Sequence, residues 1–435
     1  MMPSPVQGKH PRTTPLSPAI PDGTDHLSSL PVEMTEEILR RLSLDDAVRT
    51  SALAKPWRYR WAECPGFKLV FVAEDPPAAV DAVLAGYACN VSYAQLDVAP
   101  ESNGKVDGWI RALAAKGIRC LVLCFTLVLS MRWLPVPASL FSCRELTSLL
   151  LKSCEIPALR SSSDGFPNLL ALELDDVNFW ENGQKTFEAL IARSPLLRSL
   201  RIMFPSINGE DDGGNYSEWT IRAPNLRILS MGAWQDCGWR LDDLPLIEEA
   251  CIHLEGNELP RILPALTRVE NLSVEITGDT ILERLSYFMN LKCLSFHTIF
   301  TKSSTLLSMF CILRNAPNVE GLHITVLHEN EESIEVNMEL PNAQGTVGLF
   351  SRLNHFCLKG IMGHTNELQF IKFLMSKATV LEEIEIYVHD DSPMSIEVVS
   401  DELSQYKKAS LQAGIIVNRY VDYNNIDETD DDEEP

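Results

Sequence analysis

The residues best suited to chemistry are histidines and acids that recur at matched points of a repeating apolar pattern. His253, Glu275, His297, His323, His355 and Tyr387 each stand between or just after two alternating apolar residues. In a strand, such positions share the face opposite the buried side chains. Glu249, Cys251, Asn271, Ser273, Cys293, Ser295, Thr325, Lys359, Glu383 and Glu385 fall in the same register. A row of imidazoles, amides and carboxylates can recognise a protein segment by hydrogen bonds along a groove. It can also hold a metal when three or four ligands converge, but no carboxylate or cysteine pair here has metal-ligand spacing, so no metal is expected. Lys and Arg are too sparse in this row to converge on a phosphate, so no cofactor is expected either. Gly-x-Ser-x-Gly, the P-loop, His-Glu-x-x-His and Cys-x-x-Cys are all missing from the chain, which argues against an enzyme.

The elements that must position this row are legible as repeats. The template Leu-x-x-Leu-x-Leu recurs as Leu146/Leu149/Leu151, Leu169/Leu172/Leu174, Leu197/Leu200/Ile202, Leu226/Leu229/Met231 and Ile247/Ala250/Ile252. It continues as Val269/Leu272/Val274, Leu291/Leu294/Phe296, Val319/Leu322/Ile324, Leu353/Phe356/Leu358 and Leu381/Ile384/Ile386, with Ile118/Leu121/Leu123 and Val91/Ala94/Leu96 upstream. The intervals of 21 to 34 residues bracket the 20 to 29 of leucine-rich repeats. Phe187/Leu190/Ile191, Ile281/Leu282/Leu285 and Leu306/Leu307/Phe310 read as helical stretches between strands. Strand then helix, repeated, gives an α/β fold with a parallel inner sheet and helices outside, a curved solenoid. Pro167-Asn168, Pro195, Pro224-Asn225 and Pro317-Asn318 punctuate the approach to several strands, where proline ends a helix and pre-sets an extended chain.

Ahead of the repeats lies a short helical module. Leu30, Met34, Ile38 and Leu42 are spaced by four, one apolar helical stripe. Ser29 is placed to cap that helix and Pro31 to sit in its first turn. Asp45 and Asp46 suit the start of a second helix, and Leu53, Trp57 and Trp61 mark a third. Three short helices in about 36 residues bury little of their own surface, so part of this stripe is expected to face a partner.

Leu30-Pro31, Ile38-Leu39, Leu42, Ala47-Val48, Thr50-Ser51, Leu53, Lys55, Trp57-Arg58 and Trp61 resemble the plant F-box pattern in order and spacing, over the whole motif. Residues 353 to 386, through Leu358, Gly360, Gly363, Glu367-Leu368, Phe370, Phe373-Leu374 and Val380-Leu381-Glu382, resemble the FBD motif that follows leucine-rich repeats in many plant F-box proteins. The resemblance implies that Leu30, Pro31, Met34, Ile38, Leu42 and Val48 dock on an SKP-type adaptor that links to a cullin and a RING subunit. Trp57 is counted with that set, packing inside the module or at its edge. It further implies a substrate-recruiting subunit of an SCF-type ubiquitin ligase, whose repeats hold an unidentified protein substrate in the nucleus and/or cytoplasm. The alternative is a leucine-rich-repeat interaction scaffold with a degenerate F-box and no ligase role. Pro56, where the family has a basic residue and where a kink of the third helix is expected, and Thr35, where it has an apolar one, point that way.

Composition sets the outer bounds. A formal net charge of -23 over 435 residues argues against a nucleic-acid or anionic-membrane partner, which would require clustered Lys and Arg. The run Leu121 to Met131 is shorter than the roughly 20 residues of a membrane helix. Eleven cysteines without a Cys-x-x-Cys pair suit a reducing compartment. The resulting domain plan is a disordered leader at 1–25, an F-box at 26–62, repeats at 63–340, an FBD-like continuation at 341–390, a cap at 391–423 and an acidic disordered tail at 424–435.

Overall fold

The computed structural model describes residues 27, 29–126, 133–159, 165–179, 183–207, 218–234, 236–254, 258–279, 281–328 and 348–420. The expected leader and acidic tail lie outside the described residues, as do 341–347 of the FBD-like segment and 421–423 of the cap. Two compact units are present, one of residues up to Phe67 together with Tyr87–Cys89, the other comprising the rest.

In the first unit, helix α1 spans Val32–Arg40 and α2 spans Leu44–Arg49. Pro31, not Ser29, stands at the N-cap of α1. Its extended ψ turns its carbonyl into the first acceptor, for Thr35 N–H at 3.1 Å and Thr35 Oγ1 at 3.0 Å. Thr35 is buried and satisfied by that bond. Ser43 Oγ accepts from Asp46 N–H at 3.1 Å and caps α2. The third helical segment is broken into a 3-10 turn at Lys55–Trp57 and α3 at Arg60–Glu63. Pro56 sits within the first turn of the former, where a missing N–H is tolerated, so no regular helix is kinked. Leu53, expected to share a stripe with Trp57 and Trp61, is exposed, while both tryptophans are buried. Trp61 stacks on Tyr87, and the Tyr87 hydroxyl donates to Cys64 O at 2.9 Å.

The second unit is dominated by a fourteen-stranded sheet in which strands follow one another in chain order. They are β1 (Lys68–Phe71), β2 (Tyr93–Val98), β3 (Cys120–Phe125), β4 (Ser148–Lys152), β5 (Ala171–Asp175), β6 (Ser199–Met203) and β7 (Ile228–Ala233). Then come β8 (Glu249–Leu254), β9 (Asn271–Ile276), β10 (Cys293–Thr298), β11 (Gly321–Val326), β12 (His355–Ile361), β13 (Glu383–His389) and β14 (Gly414–Tyr420). Every pairing is parallel. The register places Leu121, Leu149, Leu172, Leu200, Leu229, Ala250, Leu272, Leu294, Leu322, Phe356 and Ile384 side by side. This is the central leucine of the sequence template, aligned without a slip and buried throughout. A one-residue slip anywhere would turn that strand's apolar set outward.

The side behind this sheet is less uniform than strand-then-helix. Helices α4 (Pro77–Gly86), α5 (Val106–Ala115), α6 (Gly183–Ala192), α7 (Leu259–Ile262), α8 (Ser303–Arg314), α9 (Thr365–Lys377) and α10 (Ile396–Ser404) occupy some connections. Others carry short strands: Leu134–Pro135, Cys154–Ile156, Asn178–Phe179 and Ser206–Ile207 form a four-stranded parallel ribbon, and Trp219–Ile221 pairs with Trp239–Leu241. The helix expected from Ile281/Leu282/Leu285 is not formed. Instead Leu282 N–H donates to Ser308 Oγ at 3.0 Å and Phe288 N–H to Asn315 O at 2.8 Å, so α8 and the residue after it tie this segment down at both ends. The closing helix begins earlier than the expected Asp401 to Ala409, because Ser395 caps it at Val398 N–H.

The Pro-Asn punctuation has a further role that periodicity does not reveal. Asn168, Asn225 and Asn318 donate from Nδ2 to Arg144 O, Pro195 O and Met289 O at 3.0, 2.9 and 2.7 Å. Asn290 does the same to Arg268 O at 3.2 Å. Each ties one repeat to a carbonyl of the one before, immediately ahead of the first buried position of its own template.

Candidate functional site

Two surfaces carry the functional candidates, and each is built by a different element. On α1, burial falls on Thr35 and Leu39, which leaves the four-residue stripe facing outward. Met34 is 54% exposed and Ile38 38% exposed, with Val32, Leu53 and Tyr59 also open to solvent. Pro31 is exposed, and Leu30, Leu42 and Val48 are half-buried. Trp57 is the correction to this set. At 3% exposure its ring belongs to the module's interior and presents nothing to a partner. Arg40 and Arg41 pair with Glu36 and Glu37 one turn earlier at 3.0 and 2.9 Å, flanking the stripe with charge and contributing little on their own.

The second surface is the open side of the sheet. Parallel pairing lines up Glu275, His297, Thr325, Lys359 and Tyr387 as one lateral row. Ser273, Ser295, His323, Cys357 and Glu385 form the next, and Asn271, Cys293, Gly321, His355 and Glu383 a third. His253, Glu275, His297, His323, His355 and Tyr387 are all half-buried on this face. They do not converge on one point but form three local groups.

In the first group, His253 Nδ1 lies 2.9 Å from Glu275 Oε2 and its Nε2 lies 3.0 Å from Cys251 Sγ. The His253 and His297 rings are 5.2 Å apart. Hydrogen bonds to Cys251 and then Glu275 outweigh burial and push His253 up to about 9. Burial, reinforced by the neighbouring His253 charge, pushes His297 down. In the second group, His323 and His355 rings sit 5.2 Å apart and His355 Nδ1 lies 3.4 Å from Glu383 Oε2. Burial lowers His323. In the third, the Tyr387 hydroxyl donates to Glu385 Oε2 at 2.9 Å, which raises the phenol, and Lys359 Nζ stands 5.7 Å from the Tyr387 ring centre.

His355, Glu383 and Glu385 offer ligand atoms within 4.8 Å of one another, a geometry that sequence spacing did not disclose. Glu383 is exposed and Glu385 is engaged by Tyr387, so these three side chains already have partners. The link between Cys251, His253 and Glu275 was equally missed as a unit. Its signal was present: two residues on one strand at i and i+2, and an acid one repeat later.

Similarity to known proteins covers the segments that carry both surfaces. Models described as F-box domain and FBD match residues 27–68 and 348–386. A third, described as the leucine-rich repeats of FBD-associated F-box protein At5g56370, matches residues 106–324. The F-box/FBD/LRR-repeat protein At1g13570 of Arabidopsis thaliana is 25% identical over 439 residues, covering 91% of this chain and 99% of the relative. The F-box/FBD/LRR-repeat protein At1g51370 of the same plant is 24% identical, covering 84% of this chain and 89% of its own length. With an outward apolar stripe on the leading helices, an in-register parallel sheet in the second unit and all three segments matched in order, the chain belongs to the F-box family whose members carry leucine-rich repeats and an FBD region.

Proposed function

We propose that this protein is the substrate-recognition subunit of an SCF-type ubiquitin ligase, with the first unit docking on an SKP-type adaptor and the open sheet face holding a protein substrate. The observation that carries the proposal is the outward stripe of Met34 and Ile38. Burying side chains of this size gains about 1.5 to 3 kcal/mol each, and both stand open to solvent among the described residues. F-box proteins generally serve such ligases. The chain itself would perform no turnover, since holding a substrate near ubiquitin activated elsewhere raises its effective concentration. All eleven cysteines are free thiols, which suits action in the nucleus and/or cytoplasm.

The scaffold alternative drew on Pro56 and Thr35. Both are accommodated locally, Pro56 in a 3-10 turn and Thr35 by its bond to Pro31 O, which favours the ligase reading. Co-purification of the full chain with an SKP-type adaptor is the direct test. Wild type should capture the adaptor, and the double variant Leu30→Asp with Pro31→Ala should not, with circular dichroism of the repeats unchanged. Absence of capture by wild type, under conditions where an ordinary F-box binds, overturns the proposal.

A further inference from the structure

The open face also carries a chemical device. Cys251 on β8 is contacted by His253 Nε2 at 3.0 Å, and His253 Nδ1 is held by Glu275 Oε2 at 2.9 Å on the neighbouring β9. Nucleophile, proton carrier and orienting carboxylate thus stand in sequence within hydrogen-bond reach, the arrangement by which a thiol is activated. Beside the sulfur an open cavity of about 180 Å³ is lined by Cys251, Ser273, Cys293, Ser295 and Asn271. That is smaller than the roughly 300 to 1,000 Å³ of pockets for drug-sized ligands, so it suits a molecule of a few carbon atoms.

We propose that Cys251 is a covalent acceptor for small α,β-unsaturated carbonyl compounds, with His253 as proton donor and Glu275 as the residue that positions it. Cys251 passes its S–H proton to His253 Nε2, and the thiolate lone pair then adds to the β-carbon and forms the C–S bond. The π pair of the C=C bond shifts to the enolate. The proton on His253 Nε2 then passes to the α-carbon, leaving a thioether and a neutral imidazole still bonded to Glu275. No oxidant and no leaving group is required. The step is stoichiometric, so it asks no turnover of the chain and does not depend on the ligase reading.

The electrostatics run the same way. Burial alone raises Cys251, but the hydrogen bond and charge of His253, with Ser273 and Arg201, bring it below its ordinary value. Every other cysteine with a resolved direction is pushed up, Cys124, Cys143 and Cys357 to about 11 and Cys237 to about 12. Cys293, on the same face and lining the same cavity, is raised by burial. It serves as an internal reference, because thiolate fraction controls reactivity.

The test is acrolein labelling of the folded full chain at neutral pH, followed residue by residue with peptide mass spectrometry. Cys251 should be alkylated at least about tenfold faster than Cys293. Propanal, which lacks the C=C bond, should leave both thiols unmodified. His253→Gln should slow Cys251 labelling by about tenfold or more, and Glu275→Gln by a smaller factor, in variants whose melting temperatures match wild type. Iodoacetamide, which needs the thiolate but no proton donor, should be slowed less than acrolein by His253→Gln. Equal rates at Cys251 and Cys293 in wild type overturn the proposal without reference to any variant. An unchanged acrolein rate in folded His253→Gln removes the imidazole from it.

Discussion

The outward stripe of α1 stands open to solvent and the open face of the sheet is half-buried, and the two are chemically opposite. On the helix, Val32, Met34 and Ile38 present aliphatic carbon to water within seven residues. On the sheet, the matching outward positions carry Cys251, Ser273, Glu275, His297, His323 and Tyr387. The difference follows from how each unit closes its core. Along these strands the alternating apolar positions, such as Leu272, Val274 and Ile276 on β9, are buried on one face, and the residues between them point to the other, where polar side chains stand. A module of three short helices cannot enclose all its apolar residues, and what remains outside is a surface that gains by meeting a partner. The first surface would bind through release of water, the second through directional hydrogen bonds.

The comparison breaks most readily at the stripe. Met34→Asp combined with Ile38→Asp should weaken adaptor capture at least a thousandfold, about 4 kcal/mol, in a titration of the full chain. Because both side chains are exposed, thermal unfolding should shift little. A large drop in melting temperature would mean that the stripe is core rather than interface. The sheet gives the reverse expectation. Leu272, fully buried in the aligned row, should cost about 2 to 5 kcal/mol of stability when changed to alanine, read from denaturant unfolding. A cost below 1 kcal/mol would show that the row is not a shared core.

The template positions predicted the strand register exactly where leucines recur, because a two-residue alternation has only one way to hide its apolar set. β1 escaped because the place of its first template residue is taken by Gly66, at positive φ, leaving only Leu69 and Phe71 to mark it. On the backs of the repeats the expected helix forms at Phe187/Leu190/Ile191, in α6, but not at Ile281/Leu282/Leu285 between β9 and β10, because apolar spacing alone does not separate a helix from an irregular segment that packs on its neighbour. The stripe on α1 is visible from spacing, whereas spacing leaves Trp57 at the module's edge or inside it, and its burial puts it inside and out of the adaptor-facing set. The Cys251–His253–Glu275 contact needs two strands brought together, which no single segment announces.

Polar groups behave oppositely when they are inside the repeats. Glu258 is fully buried, and its Oε1 accepts from Cys237 and Trp239 N–H at 3.1 and 3.0 Å. Glu258→Ala should orphan both donors and cost about 1 to 3 kcal/mol, whereas Glu258→Gln keeps an acceptor and should cost less. Burial raises the Glu258 carboxyl above its ordinary 4.5. Below 4.5 both folded and unfolded states hold the proton and this contribution is complete. As pH rises, the unfolded chain releases the proton first, so stability falls until the folded group also ionises. Glu258→Gln should flatten that slope between about pH 4.5 and neutrality, measured as unfolding free energy against pH. An unaltered slope would assign it to other groups.

The smallest expected effect concerns the amides that join repeat to repeat. Asn225 and Asn318 donate to carbonyls of the preceding repeat at 2.9 and 2.7 Å, and both bonds are exposed to solvent. Each change to alanine should cost about 0.5 to 1.5 kcal/mol. They sit ahead of β7 and β11, four strands apart, at roughly 4.8 Å per strand, well beyond the distance within which substitutions couple. In an array where each repeat touches only its neighbours, stability sums over interfaces. The double variant should therefore equal the sum of the singles to within about 0.5 kcal/mol. A deviation larger than that would mean the polar ties act through the whole sheet, and the distinction between a core-driven sheet and a partner-driven helix would have to be redrawn to include them.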